Sequence, residues 1–287
     1  MPIKYLTPKS DFIFKKIFGD AKNVEILEAF LKSILDIPHN EYESLTLTDT
    51  HLKKENDEDK LGILDVKVQT KSGNTIDIEI QLANIPHIRE RVVFYLSKMI
   101  NEQISSGDKY NSIKRSIIIL ITNFDLIDAN KKYCNSYTLR DKNDGNEFTN
   151  LLEVDTLELS KLPQKDDNTE LWSWLKFLKS ENEEEFKMIE TKSPELKKAV
   201  CIVRELSQDE ETRLQFEARE KARMDYEDRM YGAFENGRIE EKIEIAAKLI
   251  IKINVDVYEE MEIIDLDKEY KLQVIEKFNK LKEQKND

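Results

Sequence analysis

Two carboxylates set opposite each other on a short hairpin are the side chains of this sequence best suited to chemistry. The first strand reads Leu61-Gly-Ile-Leu-Asp65-Val-Lys67-Val-Gln69. A Lys-Ser-Gly-Asn turn follows, then Thr75-Ile-Asp77-Ile-Glu79-Ile-Gln81-Leu82. With the loop centred near Ser72, Asp65 pairs with Glu79 and Lys67 with Asp77. Directly opposed side chains have Cβ atoms roughly 4.5–5.5 Å apart, and like charges there repel. A divalent cation between Asp65 and Glu79 reverses that sign. Such an ion lowers the pKa of bound water and neutralises developing charge, which is what phosphodiester hydrolysis needs. Magnesium takes only one or two carboxylates from a protein, so Asp65, Glu79 and the Ile80 carbonyl form a sufficient ligand set. Gln81, two residues beyond Glu79 on the same face, sits over the attacking water.

The hairpin positions these groups through a period of two. Leu64, Val66, Val68, Ile76, Ile78, Ile80 and Leu82 make one face apolar. Asp65, Lys67, Gln69, Asp77, Glu79 and Gln81 make the other polar. This is the signature of a half-buried strand. Any amphipathic surface hairpin whose charged residues are merely solvated gives the same pattern. Lys67 and Asp77 are expected to form a cross-strand ion pair, with Lys67 as an alternative source of positive charge for the site.

Around the hairpin, residues 10–35 read as helix with Ser10 as N-cap and a break at Gly19-Asp20. Residues 43–50 read as a strand and 51–60 as a loop. A helix over about 87–105 carries Ile88, Val92, Tyr95, Leu96, Met99 and Ile100 on one stripe, with His87 at its start and Tyr95 in the core. Ser116–Thr122 is a continuous apolar run, the mark of a strand buried on both faces. Strands are expected at 137–140 and 148–158. After Pro163-Gln-Lys-Asp-Asp the sequence turns helical and charged: 168–179, 194–207, 208–252 and 267–282. Leu214, Ala218, Ala222 and Tyr226 recur every four residues, as do Ile239, Ile243, Ala246 and Ile250. The pattern predicts an α/β core over 1–163, a mixed sheet flanked by helices, and an all-helical C-terminal region over 164–287 for packing, dimerisation or DNA targeting.

The chain has 287 residues, 39% hydrophobic and 36% charged, with a net charge of −13. Globular averages are roughly 45–50% and about 25%, so part of the chain is long solvated helix. The acidic balance excludes a protein that simply coats DNA but permits a local basic groove. Arg89, Arg91 and Lys98 on the helix after the hairpin, followed by Lys109, Lys114 and Arg115, form the one locally basic region. Two cysteines and three histidines provide neither a disulfide framework nor a zinc pattern. A metal here is hard and oxygen-ligated, magnesium or manganese. With no apolar leader and no membrane-length stretch, the sequence reads as cytoplasmic.

The hairpin residues Ile63-Leu-Asp65 and Ile78-Glu79-Ile-Gln81 resemble those of the PD-(D/E)XK nuclease family transposases, also called recombination-promoting nucleases. Further matching segments are Asp11-Phe-Ile-Phe14-Lys-Lys-Ile-Phe18-Gly19, Arg91-Val-Val-Phe-Tyr95-Leu-Ser with Gln103, Gly107 and Tyr110, and Leu157-Glu158-Leu159. Trp174-Leu175-Lys-Phe-Leu178 and Glu235-Asn-Gly237-Arg resemble the later segments. The likeness covers most of the chain and weakens after about residue 235. It implies a restriction-endonuclease-like fold and a Mg²⁺- or Mn²⁺-dependent DNA endonuclease linked to recombination or transposition. Asp65 and Glu79 are then the metal-binding carboxylates, and Gln81 stands where the usual motif has lysine. Asp11 falls where related folds place a further acid. A neutral amide supplies no positive charge, which together with the acidic balance motivates a binding or oligomerisation scaffold with little catalysis; a nuclease acting on RNA is a third reading, distinguished by substrate competition.

Overall fold

A computed structural model describes residues 5–50, 65–129, 131–253, 261–262 and 264–283. The expected loop at 51–60 and the start of the hairpin, 61–64, lie outside them. Six strands form one sheet in the order β1 (Thr46–Leu47), β2 (Val66–Gln69), β3 (Thr75–Gln81), β4 (Ser116–Thr122), β6 (Glu147–Glu158), β5 (Cys134–Arg140). β1, β2 and β3 run antiparallel. β3, β4 and β6 are parallel, and β5 returns antiparallel on β6. The sheet is mixed, with helices on both faces, as the sequence predicted.

The hairpin register is the expected one, with Lys67 opposite Asp77 and Val66 opposite Ile78. Its turn is held by Glu41, whose Oε2 accepts from Thr70 Oγ1 at 2.6 Å and from Ser72 Oγ at 2.7 Å. Gly73, at φ +91°, supplies the left-handed residue that the turn requires. The strand expected at 43–50 shortens to two residues because His39–Ser44 winds into a 3₁₀ turn.

β4 is buried along its whole length, and its two faces meet different partners. Ile117, Ile119 and Ile121 join Ile76, Ile78 and Ile80 against α1 (Asp11–Phe18), α2 (Val24–Lys32), α4 (Glu170–Lys179), α5 (Glu183–Ile189) and α6 (Pro194–Gln208). Phe14, Phe18, Phe30 and Trp174 stack there, with ring centroids of Phe14 and Phe18 4.5 Å apart. On the other face, α3 (Ile88–Asn101) lays Ile88, Val92, Leu96 and Met99 on Ile118 and Leu120. Ser10 caps α1 as expected, its Oγ accepting from Ile13 N–H at 3.3 Å.

The chain divides into two compact units, Met1–Phe216 and Glu217–Asp287. The composition change near residue 163 marks where the strands end, but α4, α5 and α6 bury Trp172, Phe177, Phe186 and Val200 in the first unit's core. α5 lies in the acidic segment 181–190, where no helix was expected. Phe186 and Ile189 anchor it, and Arg204 bridges its Glu183 at 2.9 Å and the following Glu190 at 2.6 Å.

In the second unit Ile243, Ala246 and Ile250 of α7 (Glu210–Ile253) pack with Met261, Leu266 and Val274, the last on α8 (Lys271–Glu283). The fourfold-spaced residues Leu214, Ala218, Ala222 and Tyr226 are exposed on α7, Leu214 at 61% and Tyr226 at 54%. No described helix is long and apolar enough to cross a membrane.

A second pair of carboxylates lies on the sheet face away from α3. Glu153 and Asp155 are buried opposite Ile117 and Ile119. Arg115 pairs with Glu153, and Ser136 Oγ donates to Glu153 at 3.5 Å. Asp155 Oδ2 is buried without a hydrogen-bond partner. Burial, then the charge of Glu153, pushes Asp155 up to about 7. The folded state therefore keeps a proton that the unfolded chain loses near pH 4. This group's contribution to stability falls as pH rises from about 4 to about 7. Asp155→Asn is expected to flatten that decline, read as a smaller difference in urea midpoint between pH 5 and pH 8. An unchanged difference would contradict the assignment.

Candidate metal centre

On β3 the polar face of the hairpin is not solvated. Glu79 is 3% exposed and Asp77 is fully buried. The register explains why: Asp77 lies beside Ile118 and Glu79 beside Leu120, on the face that α3 covers. The half-buried expectation is corrected because β3 is a central strand, roofed on both sides, and only Gln81 at its end is partly open.

Asp65 immediately precedes β2. The ladder ends with Val66 opposite Ile78, and one more step in the same register sets Asp65 opposite Glu79. Asp65 Oδ2 accepts the Ile80 N–H at 3.0 Å, so β3 itself orients the carboxylate. Its Oδ1 lies 2.8 Å from Lys15 Nζ on α1.

Glu79 Oε2 accepts from Gln81 Nε2 at 3.4 Å and lies 3.6 Å from an Arg91 guanidinium nitrogen. Its Oε1 is buried with no hydrogen-bond partner, as are both oxygens of Asp77. Burial, then the charge on Asp65, raises Glu79 to about 7, while Arg91 acts in the opposite direction. Burial, then the charges of Glu79 and Asp65, holds Asp77 well above the usual carboxylate range.

Lys67 does not form the expected bridge to Asp77. Its Nζ lies 3.4 Å from Glu102 Oε2, beyond the end of α3. Burial of Asp77 leaves the lysine to reach the more accessible acid.

The basic residues separate. Arg91 turns into the site, its guanidinium also 5.7 Å from the Tyr95 ring. Arg89 is exposed. Lys98 lies 5.3 Å from the Phe94 ring. Arg115 leaves the expected basic region altogether, because its pairing with Glu153 takes it to the opposite sheet face.

His87 occupies the N-cap position of α3 in the left-handed region, a helix-start residue as expected. Tyr95 is half-buried against the α3 core. Asp11 is exposed in the first turn of α1, its Oδ1 accepting Phe12 N–H at 2.7 Å. The α1 side chain that reaches Asp65 is Lys15, one helical turn later. No spacing signal in the sequence separates Lys15 from Lys16; only the packing of Ile13, Phe14, Ile17 and Phe18 aims it.

Among the described residues no group of three or more acids, histidines or cysteines is placed to hold a metal. The site offers two carboxylates that converge, one with an orphaned buried oxygen. That donor set fits a hard cation that retains several waters.

A mixed sheet of this order, with a carboxylate hairpin feeding through a crossover helix into a buried parallel strand, is a PD-(D/E)XK nuclease fold. The chain belongs to the PD-(D/E)XK nuclease family transposases, whose family model matches residues 8–233. That span takes in α1, the whole sheet and the helices through the first half of α7. No curated protein and no solved structure matches the chain. Membership supports a nuclease- or transposase-related function.

Proposed function

We propose that this chain is a metal-dependent DNA endonuclease acting in recombination or transposition. The observation that carries the reading is the convergence of Asp65 and the buried Glu79, whose Oε1 lacks any partner. Leaving a buried carboxylate oxygen unpaired is costly, and a Mg²⁺ or Mn²⁺ ion held by Asp65, Glu79 and the Ile80 carbonyl removes that cost. A strand residue turns its N–H and C=O to the same side. Donation from Ile80 N–H to Asp65 therefore supports the carbonyl as the third ligand.

Once bound, such an ion lowers the pKa of a water and offsets charge on the phosphate. The remaining work falls to side chains. Ile80 N–H fixes the orientation of Asp65. Arg91 limits the repulsion between the carboxylates by facing Glu79. The Gln81 amide donates to Glu79, leaving its carbonyl oxygen to accept a hydrogen bond from the attacking water and aim it. On the outer side of α3, exposed Arg89, together with Lys98, meets the DNA backbone without reading bases, and Arg91 bridges that surface to the site. The exposed apolar stripe of α7 supports self-association of this cytoplasmic protein through its helical C-terminal region.

A scaffold on a degenerate nuclease fold is the second reading. Gln81 in the lysine position favours it. Nicking of a supercoiled plasmid by the full chain, with Mg²⁺ or Mn²⁺ and with EDTA as control, tests between them. Metal-dependent nicking supports the nuclease; no nicking by the folded protein, with a parallel RNA substrate also uncut, contradicts it.

A further inference from the structure

Among the described residues three cations lie near the carboxylates, and their partners distinguish them. Lys67 is committed to Glu102 and is 13% exposed. Arg91 faces Glu79 across 3.6 Å, the carboxylate it already helps to neutralise. Of these three, Lys15 combines direct contact with a proposed metal ligand, 2.8 Å to Asp65 Oδ1, with a side chain 40% exposed.

Its root is rigid and its tip is not. Ile13, Phe14, Ile17 and Phe18 are wholly buried around it, whereas an ammonium on a flexible four-carbon stem reorients readily. Asp65 has two oxygens: Ile80 N–H occupies one and Lys15 the other. A cation approaching Oδ1 competes with the ammonium, since two positive charges on one oxygen repel each other.

Building on the nuclease reading above, we propose that Lys15 and the divalent cation exchange on Asp65, and that the released ammonium turns to the substrate phosphate in place of the lysine that Gln81 replaces. Lys15 holds Asp65 in position before the metal arrives, and afterwards supplies the point charge that an amide cannot.

The exchange makes opposite predictions for binding and turnover. Lys15→Gln removes the competitor, so Mn²⁺ should bind about fivefold more tightly, the factor carried by an ion pair of this exposure. The same variant should nick DNA roughly a hundredfold more slowly at saturating Mn²⁺, as when one charge-stabilising donor is lost. Lys15→Arg, which keeps the charge, should stay near the wild-type affinity. Affinity is measured on the full chain by calorimetry or by Mn²⁺ paramagnetic resonance, beside Asp65→Ala. Asp65-dependent binding that is equal or weaker in Lys15→Gln overturns the exchange and leaves the metal reading standing. No Mn²⁺ binding by the wild type or by either Lys15 variant overturns both.

Discussion

Glu79→Gln is expected to stabilise the metal-free protein at pH 8 by on the order of 3 kcal/mol, and to do so hardly at all near pH 4. Glutamine keeps the shape of the side chain and removes its charge. The folded protein raises Glu79 from 4.5 to about 7, chiefly through burial. Below pH 4.5 the carboxyl is neutral in both states and contributes nothing. Between 4.5 and about 7 the folded protein retains a proton that the unfolded chain has lost, so stability declines as pH rises. Above about 7 the full cost of a buried anion is present, and the variant escapes it. The gain is read from urea unfolding of both proteins across this range. A variant that is destabilised at pH 8, or stabilised equally at every pH, would contradict the account. A residue that reduces stability while its neutral isostere restores it is the trade expected of a functional carboxylate.

The second large effect is metal-linked stability. At a free Mn²⁺ concentration one hundred times its dissociation constant, the wild type should gain about 2.7 kcal/mol against unfolding. At a fixed Mn²⁺ concentration the gain should grow with pH through about 7, because Glu79 must lose its proton before it can ligate. Asp65→Ala should abolish the gain. Thermal unfolding with Mn²⁺ or EDTA at pH 6 and pH 8 is the measurement. A gain that survives in Asp65→Ala would place the metal elsewhere.

The hairpin register could be read from the sequence because a period of two fixes which residues oppose one another, and Lys67 does stand opposite Asp77. The apolar run Ser116–Thr122 correctly indicated a strand buried on both faces. The burial of Asp77 and Glu79 was not legible, since alternation is identical whether the polar face meets water or a helix. The crossover of α3, whose Val92 and Leu96 pack on the neighbouring Ile118 and Leu120, roofs those carboxylates. Pairings of long side chains were equally hidden. Lys67 chose Glu102, Arg115 chose Glu153, and Lys15 reached Asp65 across fifty residues of sequence. The acidic stretch over 181–190 concealed α5 because the helix has only two turns and its apolar residues fall in the second, and the fold holds it through buried Phe186 and Ile189, with Arg204 bridging Glu183 and Glu190. The resemblance carried by Asp65, Glu79 and Gln81 identified the family that the match over residues 8–233 shows.

The proposed divalent-cation site of Asp65 and Glu79 is one that cleaves phosphodiesters. Its most direct test is nicking of supercoiled plasmid by the wild type and by Asp65→Ala, each shown to be folded, with Mg²⁺ or Mn²⁺. The account predicts metal-dependent nicking by the wild type that falls more than about 100-fold in the variant, beyond the range seen when only an outer-shell partner of a metal is removed. Equal nicking by both proteins, or none by either, would contradict it.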